Sequence, residues 1–137
     1  MRFKATLDRR LFELAILAVA ISWHSGHEWA AHAKLAREEG IAEDVIAALR
    51  RGENPHFEKA DEAAIFAFAH ELARERRVSA ERYRAARDVL SETKLVELVN
   101  ALGYYIALAA MLNAFDVHPP EGLDDPWPPS NGLIPPR

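Results

Sequence analysis

The feature that most constrains the fold is an apolar segment close to the N-terminus. Asp8 is a good helix N-cap, and a helix is predicted from there to about Ser22. Apolar side chains cover most of the circumference of this helix: Leu11, Leu14, Ile16, Leu17, Val19 and Ile21. A helix that is apolar on most sides has to be covered by other elements. We therefore expect the first helix to be buried on several sides.

Helical signals continue along the chain, whereas no alternating β-branched run bounded by hairpin turns is present. Five further helices are predicted, at about residues 25–40, 43–51, 57–77, 79–89 and 91–115. The length of 137 residues suits one core, so an all-α domain of about six helices is predicted for residues 1–118. The proline-rich tail, residues 119–137, cannot be helical. It is expected either to lie as an arm on a neighbouring subunit or to be disordered.

Charge and composition exclude several classes of function. The net charge is −4, with acidic and basic residues interleaved, which argues against nucleic acid as a partner. The absence of cysteine excludes a disulfide scaffold, a thiol nucleophile and a Cys-ligated zinc, and suits a reducing cytoplasm. The basic N-terminus and the following apolar run resemble a secretory signal, but Asp8 and Glu13 interrupt that pattern and the run is too short to span a bilayer. We expect a cytoplasmic protein with no membrane partner.

The candidate chemical site lies on the segment from Trp23 to His32, which holds three histidines, one acid and two tryptophans. Glu28 and His32 are four residues apart, so they lie on one helix face and can form a hydrogen bond. A carboxylate beside an imidazole orients the ring and raises its basicity, as general acid–base catalysis requires. Trp23 and Trp29 would exclude water from this pair, although tryptophans are more often core residues.

Simpler interpretations of the same residues remain open. Ser25 and Glu28 match a capping box, in which Glu28 would accept a hydrogen bond from the Ser25 amide. His32 could be an ordinary histidine on a helix face, and His24 and His27 could be surface or packing residues.

A zincin motif is not present, because His27 and His32 are five residues apart and lie about 140° apart around a helix. No metal and no cofactor are expected, and a metal-dependent hydrolase is the least favoured interpretation.

Glu13 is a second anomaly, because it lies among apolar residues where an unpaired charge is costly to bury. One interpretation is a surface glutamate paired with Arg9 or Arg10. The other is an acid that points into the joint between the first two helices, where it could reach His32 or a substrate.

Several segments together resemble the carboxymuconolactone decarboxylase family. In the first two helices these are residues 10–17 (RLFELAIL), Trp23, residues 27–36 (HEWAAHAKLA) and residues 40–41. Later segments are similar as well: residues 76–79 (RRVS), 94–99 (KLVELV), 103–105 (GYY) and 112–114 (LNA). The resemblance covers about residues 8–117. It implies a compact orthogonal helical bundle of the alkylhydroperoxidase D-like type.

The resemblance also suggests which chemistry is retained. The peroxidase branch of this fold carries Glu-x11-Cys-x-x-Cys-x3-His, and its two cysteines fall on Ser25 and Glu28 here, so thiol peroxidase activity is not expected. The acid–base residues of the motif are present as Glu13, His27, Glu28 and His32. The implied function is cofactor-independent decarboxylation or isomerisation of a small carboxylated lactone. In this hypothesis His32 moves the proton, Glu28 orients it, Glu13 or His27 completes the relay, and Trp23, Ser25 and Trp29 line the pocket.

Two further expectations follow from this interpretation. A carboxylated substrate needs a cationic anchor, and the sequence does not distinguish between Arg9, Arg10, Lys34 and Arg37. The first and last long helices are more apolar than one small domain needs, and the family forms trimers or hexamers, so a homo-oligomer is expected. The alternative to an enzyme is a non-catalytic, oligomeric ligand-binding protein of the same fold.

Overall fold

The computed structural model describes residues 7–128 and shows six α-helices and no strand in that range. The helices are α1 (Arg9–Trp23), α2 (Gly26–Glu38), α3 (Glu43–Arg50), α4 (Ala60–Glu75), α5 (Ala80–Leu90) and α6 (Glu92–Ala114). The prediction of an all-α protein with about six helices is confirmed. The largest difference is the start of α4, at Ala60 instead of Phe57. Asp61 and Glu62 occupy its first turn, where carboxylates suit the positive end of the helix dipole.

Helix α1 is the centre of the bundle, as its apolar circumference predicts. It packs against α2, α3, α4 and α6, and every residue from Leu11 to Ala20 is buried. The N-cap side chain of Asp8 accepts a hydrogen bond from the Arg10 amide at 2.8 Å. The Arg10 side chain forms ion pairs with Asp61 and Glu62, which join the first turns of α1 and α4. Because Glu62 is buried, the Arg10–Glu62 ion pair fixes the position of α1 relative to α4.

Helix α6 is mostly apolar but is covered on one side only. It packs against α1, α4 and α5, and leaves Val96, Met111 and the following Phe115 about 60% exposed. Within residues 7–128 it is the one helix long and apolar enough to cross a membrane, and 28% of its most apolar 18-residue window is buried. Since α6 takes part in the bundle, this single helix does not contradict a soluble protein.

The chain after α6 folds back over the beginning of α2, and we call residues 116–128 the C-terminal strap. Asp124 accepts a hydrogen bond from Trp29 Nε1 at 3.0 Å and forms a salt bridge with Arg50 at 2.7 Å. Trp127 stacks on His24, with a ring separation of 5.2 Å. The expectation of disorder is therefore wrong for residues 119–128, because these side chains find partners within their own chain. The expected arm on a neighbouring subunit stays a prediction. Residues 129–137 lie outside the described part.

The strap passes close to the backbone of α2 at its first residue. A Cβ atom built at Gly26 would lie 2.1 Å from Asp125 Oδ1, so a larger residue fits there only if the Asp125 side chain shifts. Asp125 also accepts a hydrogen bond from His118 Nδ1 at 2.7 Å, and Asp116 accepts one from His118 Nε2 at 2.6 Å. Burial alone would lower the pKa of His118, but these two carboxylates raise it.

Candidate active site

The candidate site depends on the tight connection between α1 and α2. His24 has a left-handed conformation (φ 50°), and the Ser25 amide donates to the Ala20 carbonyl at 3.0 Å. The Ser25 hydroxyl caps α2 by accepting from the Glu28 amide at 3.4 Å. Since only two residues separate the helices, α2 folds back onto α1. Residues in the first half of α1 can therefore meet residues in the middle of α2.

A buried pair between Glu13 and His32 forms at this contact. Oε2 of Glu13 lies 2.6 Å from Nδ1 of His32. The side chain of Glu13 is 1% exposed and that of His32 is 12% exposed. Because a carboxylate can only accept, Nδ1 carries the proton and Nε2 is the nitrogen left for a ligand. Glu13 therefore points into the helix joint, as one interpretation predicts, and it also forms the pair with Arg9 that the other interpretation predicts.

Arg9 lies one helical turn before Glu13 on α1 and contacts it. Its Nη2 atom lies 3.3 Å from Oε1 of Glu13, so the carboxylate of Glu13 is shared between an arginine and a histidine. The side chain of Arg9 is 50% exposed, which leaves part of its guanidinium open to solvent or to a ligand. Arg10 and Arg37 are already held by Asp61 and Glu43 respectively. Lys34 is exposed on α2, so Arg9 is the one of the four candidate cations with a described contact to the Glu13–His32 pair.

Tyr105 of α6 borders the site, and sequence reasoning did not assign it there. Its ring packs edge-on against the His32 ring at 5.0 Å and against Phe12 at 6.2 Å. Burial raises the pKa of the Tyr105 phenol, and the nearby charge of Glu13 raises it further. The signal available in the sequence was a phenol hydroxyl in a mostly apolar helix. No local sequence pattern relates residue 105 to residue 32.

Glu28 does not form the hydrogen bond to His32 that its spacing predicts. Its residue is 2% exposed, and neither carboxylate oxygen has a hydrogen-bond partner among residues 7–128. The reason is that Nδ1 of His32 is directed towards Glu13 on the neighbouring helix. The capping box is also only half formed, because the Ser25 amide donates to Ala20 instead of to Glu28. Burial raises the pKa of Glu28 to about 8, so this side chain is mostly a neutral acid at pH 7.

The other predicted site residues have the following positions. His27 is exposed on the first turn of α2. Trp23 is partly buried against the core, and its carbonyl accepts from the Asn113 amide group at 2.6 Å. Ser25 is the buried cap of α2, and Trp29 is almost fully buried under the strap. Their predicted role as pocket residues stays a prediction. Across the described residues, no group of three or more His, Asp or Glu side chains is placed to hold a metal ion.

The fold and the site together define an all-α protein with a buried carboxylate–imidazole pair between its first two helices. The chain belongs to the carboxymuconolactone decarboxylase family, whose family model matches residues 1–71. The matched region includes Glu13, His27, Glu28 and His32, and ends before Tyr105 and the strap. No curated protein and no solved structure gives a significant match to the chain.

Proposed function

We propose that this protein is a cofactor-independent enzyme of the carboxymuconolactone decarboxylase type. It would decarboxylate or isomerise a small carboxylated lactone by acid–base catalysis centred on His32. The observation that carries the proposal is the buried Glu13–His32 pair, in which a carboxylate fixes one ring nitrogen and leaves the other to exchange a proton. Family membership supports the reaction class.

In the decarboxylation, the carbon–carbon bond to the substrate carboxylate breaks and CO2 leaves. The electron pair is delocalised into the lactone carbonyl, and the imidazolium of His32 then donates its Nε2 proton to carbon. In the isomerisation, neutral His32 removes a proton from one carbon and returns it to another. In both cases Glu13 accepts the hydrogen bond from Nδ1 at 2.6 Å and so keeps the ring oriented with Nε2 as the nitrogen that exchanges the proton.

Arg9 receives the anchoring role that the sequence left open among four cations, and Glu28 receives a role that differs from the sequence-based hypothesis. Arg9 would bind a carboxylate of the substrate, since it is half exposed and adjoins Glu13. Glu28 would act as a buried neutral acid and not as the group that orients His32, because its pKa is raised to about 8 and its oxygens have no hydrogen-bond partner among residues 7–128. His27 is assigned no step, since it is exposed and contacts neither member of the pair.

The test is a screen of small carboxylated lactones with the wild type, His32→Ala and the control His56→Ala. His56 is an exposed histidine in the loop before α4. CO2 release and the change in ultraviolet absorbance of the lactone would be measured, with circular dichroism to confirm folding. We expect turnover by the wild type and His56→Ala, and its loss in His32→Ala. Equal turnover in folded His32→Ala would refute the assignment.

The second candidate is a non-catalytic binding protein of the same fold. The low exposure of the His32 side chain, 12%, favours this alternative, because a substrate must reach Nε2 for any reaction. A lactone that binds with measurable affinity and is recovered unchanged would support it. Turnover that depends on His32 would exclude it.

We also propose that the protein is a homo-oligomer assembled through α6. A second copy could cover the exposed apolar surface formed by α6 and the residue after it. The side chains of this surface are Val96, Val99, Met111 and Phe115. Light scattering should give a multiple of 15.4 kDa, with a trimer or hexamer expected from the family. Met111→Glu should shift the mass towards the monomer. A wild-type mass of 15.4 kDa would contradict the proposal.

A further inference from the structure

A second concave site lies at the opposite end of α1 from the Glu13–His32 pair, and we call it the α3–α4 cleft. It has a volume of about 480 Å³, which suits a small organic molecule. Its walls come from the end of α1, from the end of α3 with the loop that follows, and from the middle and end of α4. The strap closes one side with Trp127. Ser22, which lines the cleft, is nine residues from Glu13, or about 13 Å along a helix.

The charge of the cleft is positive. Three arginines line it, Arg50, Arg51 and Arg74, against the single carboxylate of Glu53. Arg50 is neutralised by Asp124, and Arg51 by Glu53. Arg74 forms no salt bridge with any residue in the described range, and it is exposed towards the cleft. The cleft thus offers one guanidinium that no salt bridge within residues 7–128 holds, a group suited to bidentate binding of a carboxylate.

The sides of the cleft carry two pairs of flat rings. His24 and Trp127 are stacked with planes 4° apart, and Phe66 and His70 are stacked at 5.1 Å with planes 24° apart. Burial lowers the pKa of His70, and the charge of Arg74 lowers it further, so His70 is neutral at pH 7. A neutral imidazole can pack on an aromatic ring and can still donate one hydrogen bond. These walls favour a planar ligand over a flexible one.

An adjoining cleft of about 380 Å³ is lined in part by the same residues. The two clefts share Asn54, Phe66, His70 and Arg74. Glu71, Glu75 and Arg82 line the second cleft only, and the Glu71 carboxylate accepts a hydrogen bond from the Ser79 amide at 2.9 Å. The shared part therefore combines an arginine that forms no salt bridge within residues 7–128, an amide side chain and a stacked ring pair.

From these contacts we infer that the α3–α4 cleft binds a small planar aromatic carboxylate, with Arg74 pairing with the carboxylate and the ring lying against the aromatic walls. This would be a binding site separate from the acid–base pair, and it does not depend on the proposed enzymatic activity.

The test measures binding of 2-naphthoate to the full chain by calorimetry and by quenching of tryptophan fluorescence. Arg74→Gln should weaken binding at least about tenfold, as expected for loss of a charged hydrogen bond. The matched control Arg84→Gln, an exposed arginine on α5 outside the cleft, should bind like the wild type. His32→Ala should also bind like the wild type, which separates this site from the proposed active site.

Two further probes make the outcome decisive. Neutral 2-naphthalenemethanol tests the need for the carboxylate, and inorganic phosphate tests the need for the ring. We expect both to bind at least about tenfold more weakly than 2-naphthoate. The inference is overturned if 2-naphthoate does not bind, if Arg74→Gln binds it as well as Arg84→Gln does, or if either probe binds as tightly.

Discussion

Oε2 of Glu13 lies 2.6 Å from Nδ1 of His32, although the two residues are 19 positions apart and belong to different helices. The contact therefore depends on the packing of α2 on α1. It leaves the carboxylate of Glu13 buried between Arg9 and His32. Removing one partner of a buried carboxylate destabilises the folded protein, because the remaining charge stays buried without compensation.

The first prediction concerns the coupling within this pair. Glu13→Gln and His32→Gln should each destabilise the fold, and the double variant should be less destabilised than the sum. The expected coupling is about 1–3 kcal/mol, because each single change leaves the other polar group buried without its partner. Urea unfolding of the four proteins would measure it. A coupling of zero would mean that the two side chains do not interact in solution.

The second prediction concerns Glu28 and pH. Its pKa is raised from 4.5 to about 8 in the folded protein, so the folded state holds a proton that the unfolded chain releases. Its contribution to stability is complete below about pH 4.5 and is lost as the pH rises through about 8. In Glu28→Gln, the fall of the free energy of unfolding over this range should be smaller by up to about 1.4 kcal/mol per pH unit.

Denaturant titrations at several pH values would test this, with Glu38→Gln as the control. Glu38 is an exposed glutamate on the same helix. Its variant should keep the pH dependence of the wild type. Identical curves for Glu28→Gln and the wild type would show that Glu28 is ionised normally in the folded protein.

The third prediction concerns the ion pairs between α1 and α4. Arg10→Gln should destabilise the protein by about 3 kcal/mol, because it leaves the buried carboxylate of Glu62 without its arginine. Arg37→Gln removes the exposed pair with Glu43 and should cost less than about 1 kcal/mol. Thermal and urea unfolding would compare the two variants. Equal effects would contradict a structural role for the Arg10 pair.

The fourth prediction concerns the C-terminal strap. Gly26→Ala would place a Cβ atom 2.1 Å from Asp125 Oδ1, so the Asp125 side chain must shift and should lose its hydrogen bonds to His118 and to the Trp127 amide, which loosens the strap over the start of α2. Trp29 and Trp127 would then become more accessible, and hydrogen exchange in residues 116–128 should become faster. Acrylamide quenching and exchange mass spectrometry would detect both changes.

The control for the strap is Gly103→Ala on α6, where an added Cβ meets nothing within 4 Å. This change should leave the strap attached and stabilise the helix by up to about 1 kcal/mol. If Gly26→Ala leaves tryptophan quenching and exchange as in Gly103→Ala, the strap does not contact Gly26 as described.

The local sequence determined the helices of this protein. Asp8, Ser25, Ser79 and Ser91 cap α1, α2, α5 and α6 through hydrogen bonds that span two or three residues. The apolar circumference of residues 11–20 determined that α1 would be buried. Such features depend on neighbours along the chain, and a sequence contains them directly.

Only the tertiary structure decided which groups meet across helices. The spacing of Glu28 and His32 favoured a local pair, but such i, i+4 contacts contribute only about 0.5 kcal/mol. The packing of α2 on α1 instead directs Nδ1 of His32 to Glu13, and leaves Glu28 buried with no hydrogen-bond partner in the described part of the chain. The same holds for Tyr105 against His32 and for Asp124 against Trp29. These contacts join residues that are distant along the chain, so their positions follow from the burial of whole helix faces and not from any local pattern.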